Sequence, residues 1–94
     1  MDDLEEGFVS RGIVRGGTLF LAAAHAIELI DTAKTQGRRV LGVDTFILGE
    51  NETRPLLDHI LDLSSPPANF DSWSTARRFI EERADEGYMF EVVV

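Results

Sequence analysis

The chain has 94 residues, of which 44% are hydrophobic and 28% charged, and its 17 acidic and nine basic residues give a net charge of −8. This length and composition exclude intrinsic disorder and predict a single α/β domain over residues 1–94. The chain has no cysteine, which excludes disulfides and thiolate sites, and it shows no signal-like or bilayer-length apolar segment. We therefore expect a cytoplasmic protein.

The negative charge also constrains the choice of partner. It repels nucleic-acid phosphates and anionic membranes, and the basic residues are scattered in pairs, so we expect no binding to nucleic acid or membrane. The same field would attract and steer a basic protein. A protein partner of basic character is therefore expected, with solubility as the alternative explanation of the charge.

The first third of the chain predicts a leader, a strand and a helix. Residues 1–6 are mostly acidic and predict a flexible acidic leader. Alternation from Phe8 to Val14 predicts a short strand that ends at Gly16–Gly17. Thr18 is a suitable N-cap, and residues Leu19 to Gln36 have the wide apolar face of a helix that lies flat on a sheet.

The middle of the chain predicts a hairpin. The β-branched run from Val40 to Leu48 predicts a strand. The segment from Leu56 to Leu63 fits either a helix or a strand, and we favour a strand because it would pair with the preceding one through the polar turn at 49–53. Residues 64–69 contain two prolines and predict a loop.

The last third of the chain predicts a second helix and a final strand. Asp71 or Ser72 is expected to cap the helix, which Gly87 ends, and Tyr88 to Val94 alternate as a strand. Trp73 lies on the apolar face of this helix. We expect it to be buried as the largest core side chain, with a partner-binding aromatic as the alternative.

These elements follow one another as strand, helix, strand, strand, helix, strand. The order βαββαβ predicts an α+β fold, the split β-α-β ferredoxin-like sandwich, with two helices on one face of a four-stranded sheet. In that fold the last strand lies at a sheet edge, where free backbone groups recruit another strand. A homodimer edge is therefore predicted at Tyr88, Phe90, Val92 and Val94.

A glycine pair between the first predicted strand and helix is a candidate anion site, formed by Gly16, Gly17 and Thr18. Amides at a helix N-terminus bind anions, and glycine lets an anion approach the backbone. The spacing matches neither the dinucleotide fingerprint nor the phosphate-binding loop. A tight turn needs the same glycines, and we favour that interpretation.

The two histidines offer little for catalysis. His25 is expected on an exposed helix stripe. Asp58, His59 and Asp62 would share a polar face on a helix, but on the favoured strand His59 points away from both aspartates. We therefore predict no catalytic residue, no metal site and no cofactor, with a small hydrolase or isomerase using Asp58, His59 and Asp62 as an alternative.

Acidic side chains outside the predicted core form a candidate partner-binding surface. Acidic residues in the last turn of a helix oppose its dipole, a cost that a functional patch would explain. The candidate residues are Asp58, Asp62, Glu81, Glu82, Asp85 and Glu86. The sequence thus predicts a non-enzymatic acidic protein-binding module, with a homodimer of unknown role as the alternative.

Several features between Ala22 and Val94 carry a family resemblance. They are Ala26-Ile27, the segment Arg39 to Asp44, Pro55, Trp73 with Ala76, and the strand Tyr88 to Val93. Through them the chain resembles a family of bacterial polymorphic-toxin immunity proteins. The resemblance implies a non-enzymatic inhibitor that binds and blocks a cognate toxin, and the acidic surface would suit a basic nuclease as that toxin.

Overall fold

The computed structural model describes residues 1–65 and 70–94. Within these residues the fold is α+β and combines three helices, five strands and two 3₁₀ turns. The helices are α1 (Asp3–Glu6), α2 (Ala23–Thr35) and α3 (Ser72–Glu81). The strands are β1 (Ile13–Arg15), β2 (Thr18–Ala22), β3 (Gly42–Leu48), β4 (Thr53–Asp62) and β5 (Met89–Val93). The 3₁₀ turns are Val9–Arg11 and Ala84–Glu86.

All strand pairs are antiparallel, and the sheet order is β1-β2-β5-β3-β4. Strand β5 therefore lies in the middle, bonded to β2 on one side and β3 on the other. Strands β3 and β4 form the predicted hairpin, which confirms the strand at Leu56–Leu63. Strands β1 and β4 are the outer strands. The predicted loop at residues 64–69 lies largely outside the described residues.

The predicted ferredoxin-like sandwich is wrong in two respects. The sheet has five strands instead of four, and its last strand is central instead of at an edge. The additional strand is β2, which pairs with β1 as a hairpin where the sequence analysis expected the start of a helix. The coarser prediction, an α+β fold of helices and a sheet, is confirmed.

The predicted start of the first long helix is also wrong. Gly16 and Gly17 have φ values of 57° and 80°, the pair of positive angles that reverses the chain in a tight hairpin. Residues after the turn therefore pair with β1, and α2 begins at Ala23 instead of Leu19. The apolar residues of β2 continue without interruption into those of α2, so the apolar pattern of the helix extends backwards across the boundary.

The main core lies between one face of the sheet and the helices α2 and α3. Fully buried side chains from five elements fill it: Leu21, Leu29, Ile30, Val43, Ile80 and Phe90. As expected, Trp73 packs against this core, where it is partly buried, and its indole N–H donates to the carbonyl of Arg38 at 2.8 Å. None of the described helices has both the length and the apolar character needed to cross a membrane.

The acidic leader expected at residues 1–6 contains α1, which is attached to the rest of the molecule. Leu4 is 5% exposed and belongs to the main core, as does Phe8. Asp2 caps α1 by accepting from the N–H of Glu5, and its carboxylate pairs with Arg38 at 2.6 Å. The acidic side chains of this segment therefore surround an apolar anchor.

Ser72 supplies a test of the junction between α3 and the segment before β3. Its fully buried hydroxyl accepts from the N–H of Val40 at 3.1 Å. Replacing Ser72 by Ala leaves that N–H buried without a partner, so we expect S72A to lower the free energy of unfolding by roughly 1–3 kcal/mol. Urea denaturation followed by tryptophan fluorescence measures the change.

The matched control is S74A, two residues along the same helix. The hydroxyl of Ser74 is exposed and bonds only to Asp71, and the capping bond from the backbone N–H of Ser74 survives the substitution. We expect S74A to lower the free energy of unfolding much less than S72A does. Equal losses for the two variants would contradict the role assigned to Ser72.

Candidate functional site

The sheet face opposite α2 and α3, here called the open face, carries the candidate site. On β3 and β5 the side chains of Val43, Thr45 and Phe90 are buried on the helix side, so strand alternation turns their neighbours to the open face. Pairing across β5, β3 and β4 sets these neighbours in three rows: Val93–Gly42–Asp62, Glu91–Asp44–Ile60 and Met89–Phe46–Pro55.

The β1–β2 hairpin covers one end of the open face. Phe20 is only 3% exposed, and its ring lies edge-on to that of Phe46 with centroids 4.8 Å apart. Near the hairpin tip the guanidinium of Arg15 donates to the carbonyls of Gly49 and Glu52 at 2.7 and 2.8 Å. Because β5 and β3 separate β2 from β4 in the sheet, the hairpin must fold back over the sheet to make these contacts.

The other end of the open face is left uncovered by residues 1–65 and 70–94 and forms a groove of about 410 Å³. Its lining residues are Leu41, Gly42, Asp44, Ile60, Leu61, Asp62, Ser64 and Val93. The floor lies at Gly42, where a Cβ atom would stand 2.8 Å from the carbonyl oxygen of Leu61. Ile60 and Val93 are 46% and 37% exposed. The groove therefore has apolar walls with carboxylates set among them.

Two carboxylates face each other beside the groove without compensation. Asp44 on β3 and Glu91 on β5 are direct cross-strand partners, an arrangement in which like charges repel. Burial raises the pKa of both carboxyls, and the negative charge of Asp62 raises the pKa of Asp44 further. The charges of Asp44 and Glu5 likewise raise the pKa of Glu91. Over residues 1–65 and 70–94 no ion pair involves Asp44 or Glu91.

Asp62 has a different environment at the rim of the groove. The hydroxyl and the N–H of Ser64 donate to its Oδ1 at 2.6 and 2.9 Å. These hydrogen bonds hold the pKa of Asp62 below its usual value. The Asp62 carboxylate is therefore held in place as a negative charge, and within the described residues its second oxygen has no hydrogen-bond partner.

A second cavity of about 310 Å³ lies where β4, the end of α3 and the start of β5 meet. Its lining residues are His59, Glu82, Arg83, Glu86 and Tyr88. The Nε–H of Arg83 donates to Nδ1 of His59 at 3.1 Å, so that ring nitrogen carries no proton. The same guanidinium stacks on the ring of Phe79 at 3.7 Å. His59 thus connects β4 to Arg83, which lies just beyond the end of α3.

The structure does not gather Asp58, His59 and Asp62 into one site. His59 lines the second cavity, Asp62 lines the groove, and Asp58 is exposed. Strand alternation turns His59 away from Asp62, as expected, and residues 56–59 lie in a bulge of β4 between the partners of Asp44 and Phe46. Within the described part of the chain no three His, Asp or Glu side chains are placed to hold a metal ion.

The six acidic residues predicted to bind a partner are divided between surfaces. Glu82 and Glu86 line the second cavity, whereas Glu81 bonds to Arg77 at 3.5 Å and Asp85 is exposed in a 3₁₀ turn. Of the six, Asp62 lies in the groove. His25 lies on the helix surface as expected and bonds to Glu28 at 3.1 Å.

The structural basis of the predicted homodimer edge is wrong. Tyr88, Phe90, Val92 and Val94 belong to or flank β5, which is paired on both sides. Phe90 is fully buried and Val92 is 6% exposed. The position of β5 between β2 and β3 could not be read from local patterns, because it depends on pairing between residues far apart in sequence.

The structural basis of the predicted anion site is wrong as well. Gly16 and Gly17 form the turn of a β-hairpin, and Thr18 pairs with Arg15. The helix N-terminus that would supply amides to an anion begins at Ala23 instead. The glycines serve the tight turn that the sequence analysis favoured.

Sequence reasoning missed Asp44 and Glu91. Each is an acidic residue within an otherwise apolar run, in Val40–Leu48 and Tyr88–Val94 respectively. A charged residue in such a run is a signal by itself, because it must face away from the core. What could not be inferred is that the two are opposite each other, since this depends on β3 and β5 being neighbours.

No family model, curated protein or solved structure matches this chain. The similarity to immunity proteins therefore stays a prediction.

The raised pKa values of Asp44 and Glu91 predict a pH-dependent stability. The folded chain binds protons at these carboxyls more tightly than the unfolded chain does. Their contribution to stability is therefore greatest at acid pH and is lost as the pH rises through the folded-state pKa. We expect D44N to raise the free energy of unfolding at pH 7 by about 0.5 kcal/mol, the scale of a cross-strand charge pair. At about pH 3, where carboxyls are protonated, the gain should vanish.

Urea denaturation of D44N and of the native chain at both pH values checks this expectation. D85N is the matched control, because it removes the same charge from an exposed residue. An equal gain in D85N at pH 7 would mean that relief of net charge accounts for the effect, and the repulsion assigned to the Asp44–Glu91 pair would be wrong.

Proposed function

We propose that this protein is a non-enzymatic protein-binding module that docks a basic protein on the uncovered end of its open face. The observation that carries the proposal is the pair of opposed, uncompensated carboxylates of Asp44 and Glu91 beside an apolar groove. Like charges placed directly across two strands cost stability. Such local conflicts occur in proteins chiefly at functional sites.

A cationic partner would remove this conflict. Its positive charge would offset the repulsion between Asp44 and Glu91. The attraction between opposite charges is strongest where water is partly excluded. Ile60 and Val93 would contribute apolar area to the same contact. A stable interface needs about 800 Å² from each partner, so docking would extend from the groove onto β4. The net charge of −8 would steer the encounter.

A second copy of this chain fits the open face poorly. Two copies docked face to face would bring Asp44, Asp62 and Glu91 against like charges. The edge of β4 also carries Pro55 and a bulge, features that hinder pairing with another strand. We therefore favour a basic partner over the homodimer.

The proposed module works without catalysis. His59 uses Nδ1 to accept from Arg83, and Asp62 lies in a different cavity. An inhibitor that blocks a basic toxin is one form of this function, and it is the form that the resemblance over residues 22–94 implies. The lack of cysteine fits action in a reducing compartment such as the cytoplasm.

The proposal is tested by titrating the ¹⁵N-labelled protein with a tetra-arginine peptide as the probe. We expect chemical-shift changes centred on Gly42, Asp44, Ile60 and Val93, which weaken as the salt concentration rises from about 0.05 M to about 0.5 M. Shift changes centred on Glu81 to Glu86 would instead place docking at the end of α3 and overturn the assignment to the open face.

Two double variants with the same loss of charge provide the control. D44N/E91Q should weaken binding of the peptide at least about tenfold, whereas E82Q/E86Q should change it less than about twofold. Equal weakening in both would show that only net charge matters. Binding that survives in D44N/E91Q would contradict the proposed docking surface.

A further inference from the structure

The shape and the lining of the groove restrict which chemical groups can bind in it. Its walls are mostly apolar, with Ile60 and Val93 on either side of the floor at Gly42. Gly42 carries no side chain, and the carbonyl oxygen of Leu61 lies 2.8 Å from where its Cβ would stand, so backbone forms the floor in the middle of the Val93–Gly42–Asp62 row. An occupant therefore needs a slender apolar portion that can lie along the row.

Two carboxylates on neighbouring strands, those of Asp44 and Asp62, lie on a diagonal across the groove. Asp44 pairs with Ile60, so Asp62 is its diagonal neighbour, at a separation of roughly 7–8 Å between such positions. Their mutual repulsion contributes to the raised pKa of Asp44. A flat cation with donors on several sides fits between two carboxylates at this spacing.

Among protein side chains, arginine combines these properties. Its guanidinium is planar, carries five N–H donors and is more weakly hydrated than an ammonium group, which suits a partly buried site. Its alkyl stem buries readily against apolar surface while the charged group stays with polar partners. Lysine offers a similar stem, but its compact and strongly hydrated charge contacts two separated carboxylates less well.

We propose that the groove receives a single arginine side chain of the basic partner, with its guanidinium between Asp44 and Asp62 and its stem against Ile60 and Val93. This inference rests on the proposed function and makes the groove the anchor of the interface. Glu91, next to Asp44 in the same row, adds negative charge beyond Asp44, on the side away from Asp62.

The test uses three short peptides, Ac-Gly-Gly-X-Gly-Gly-amide, in which X is arginine, lysine or citrulline. Citrulline has the shape of arginine without its charge. In ¹⁵N and methyl NMR titrations we expect the arginine peptide to shift signals of Gly42, Ile60 and Val93. Binding of the lysine peptide should be at least about threefold weaker, and the citrulline peptide should give no shift.

Variants connect the binding to the named carboxylates. D44N should weaken binding of the arginine peptide at least about fivefold, because it removes one of the two anions. E82Q should leave it unchanged, because Glu82 lines the second cavity. Since D44N relieves a repulsion, we expect it to fold, and its amide spectrum verifies this before the titration.

The outcomes separate this inference from the proposed function. Equal affinity for the lysine and arginine peptides, binding of the citrulline peptide, or shifts outside the groove would overturn the arginine anchor. If tetra-arginine still binds the open face in those cases, and D44N/E91Q still weakens it, the proposed function stands. If tetra-arginine also fails to bind there, both fall together.

Discussion

Pairing of β5 on both sides is the constraint on which the rest of the structure depends. The last strand of the chain bonds to β2 through Leu21 and Ala22 and to β3 along five residue pairs. Without β5 the β1–β2 hairpin and the β3–β4 hairpin would not be joined in one sheet. Its contacts join residues far apart in sequence, so the sheet is complete only after the C-terminal strand has been inserted between two others.

The same strand sets both faces of the sheet. Phe90 and Val92 point to the helices and fill the main core, whereas Glu91 between them points to the open face. A strand with this alternation cannot bury its apolar side chains without presenting Glu91 opposite Asp44. The core and the acidic site therefore both depend on the register in which β5 pairs with β3. A shift of this pairing by a single residue would destroy both.

Local patterns predicted the elements whose signals are contained within one segment. The β-branched run of β3, its turn and the capped amphipathic helix α3 were all recognisable in this way. Strand β2 was missed because its apolar residues run directly into α2, and the Gly16–Gly17 turn could be taken for a helix entry. Strand order depends on long-range pairing, and this is why Asp44 and Glu91 were not predicted as a pair. The groove was not predicted either, because it forms only when β5, β3 and β4 lie side by side in that order.

The fold-back of the β1–β2 hairpin determines how much of the sheet a partner can reach. The guanidinium of Arg15 fastens the hairpin tip to the turn between β3 and β4, and the ring of Phe20 on β2 packs edge-on to that of Phe46 on β3. The hairpin thus covers the aromatic half of the open face and leaves the acidic half accessible. Its length sets how much of the open face stays accessible. A longer hairpin in a similar chain would shrink the accessible half, and a shorter one would uncover aromatic surface and change the chemistry of the partner that fits.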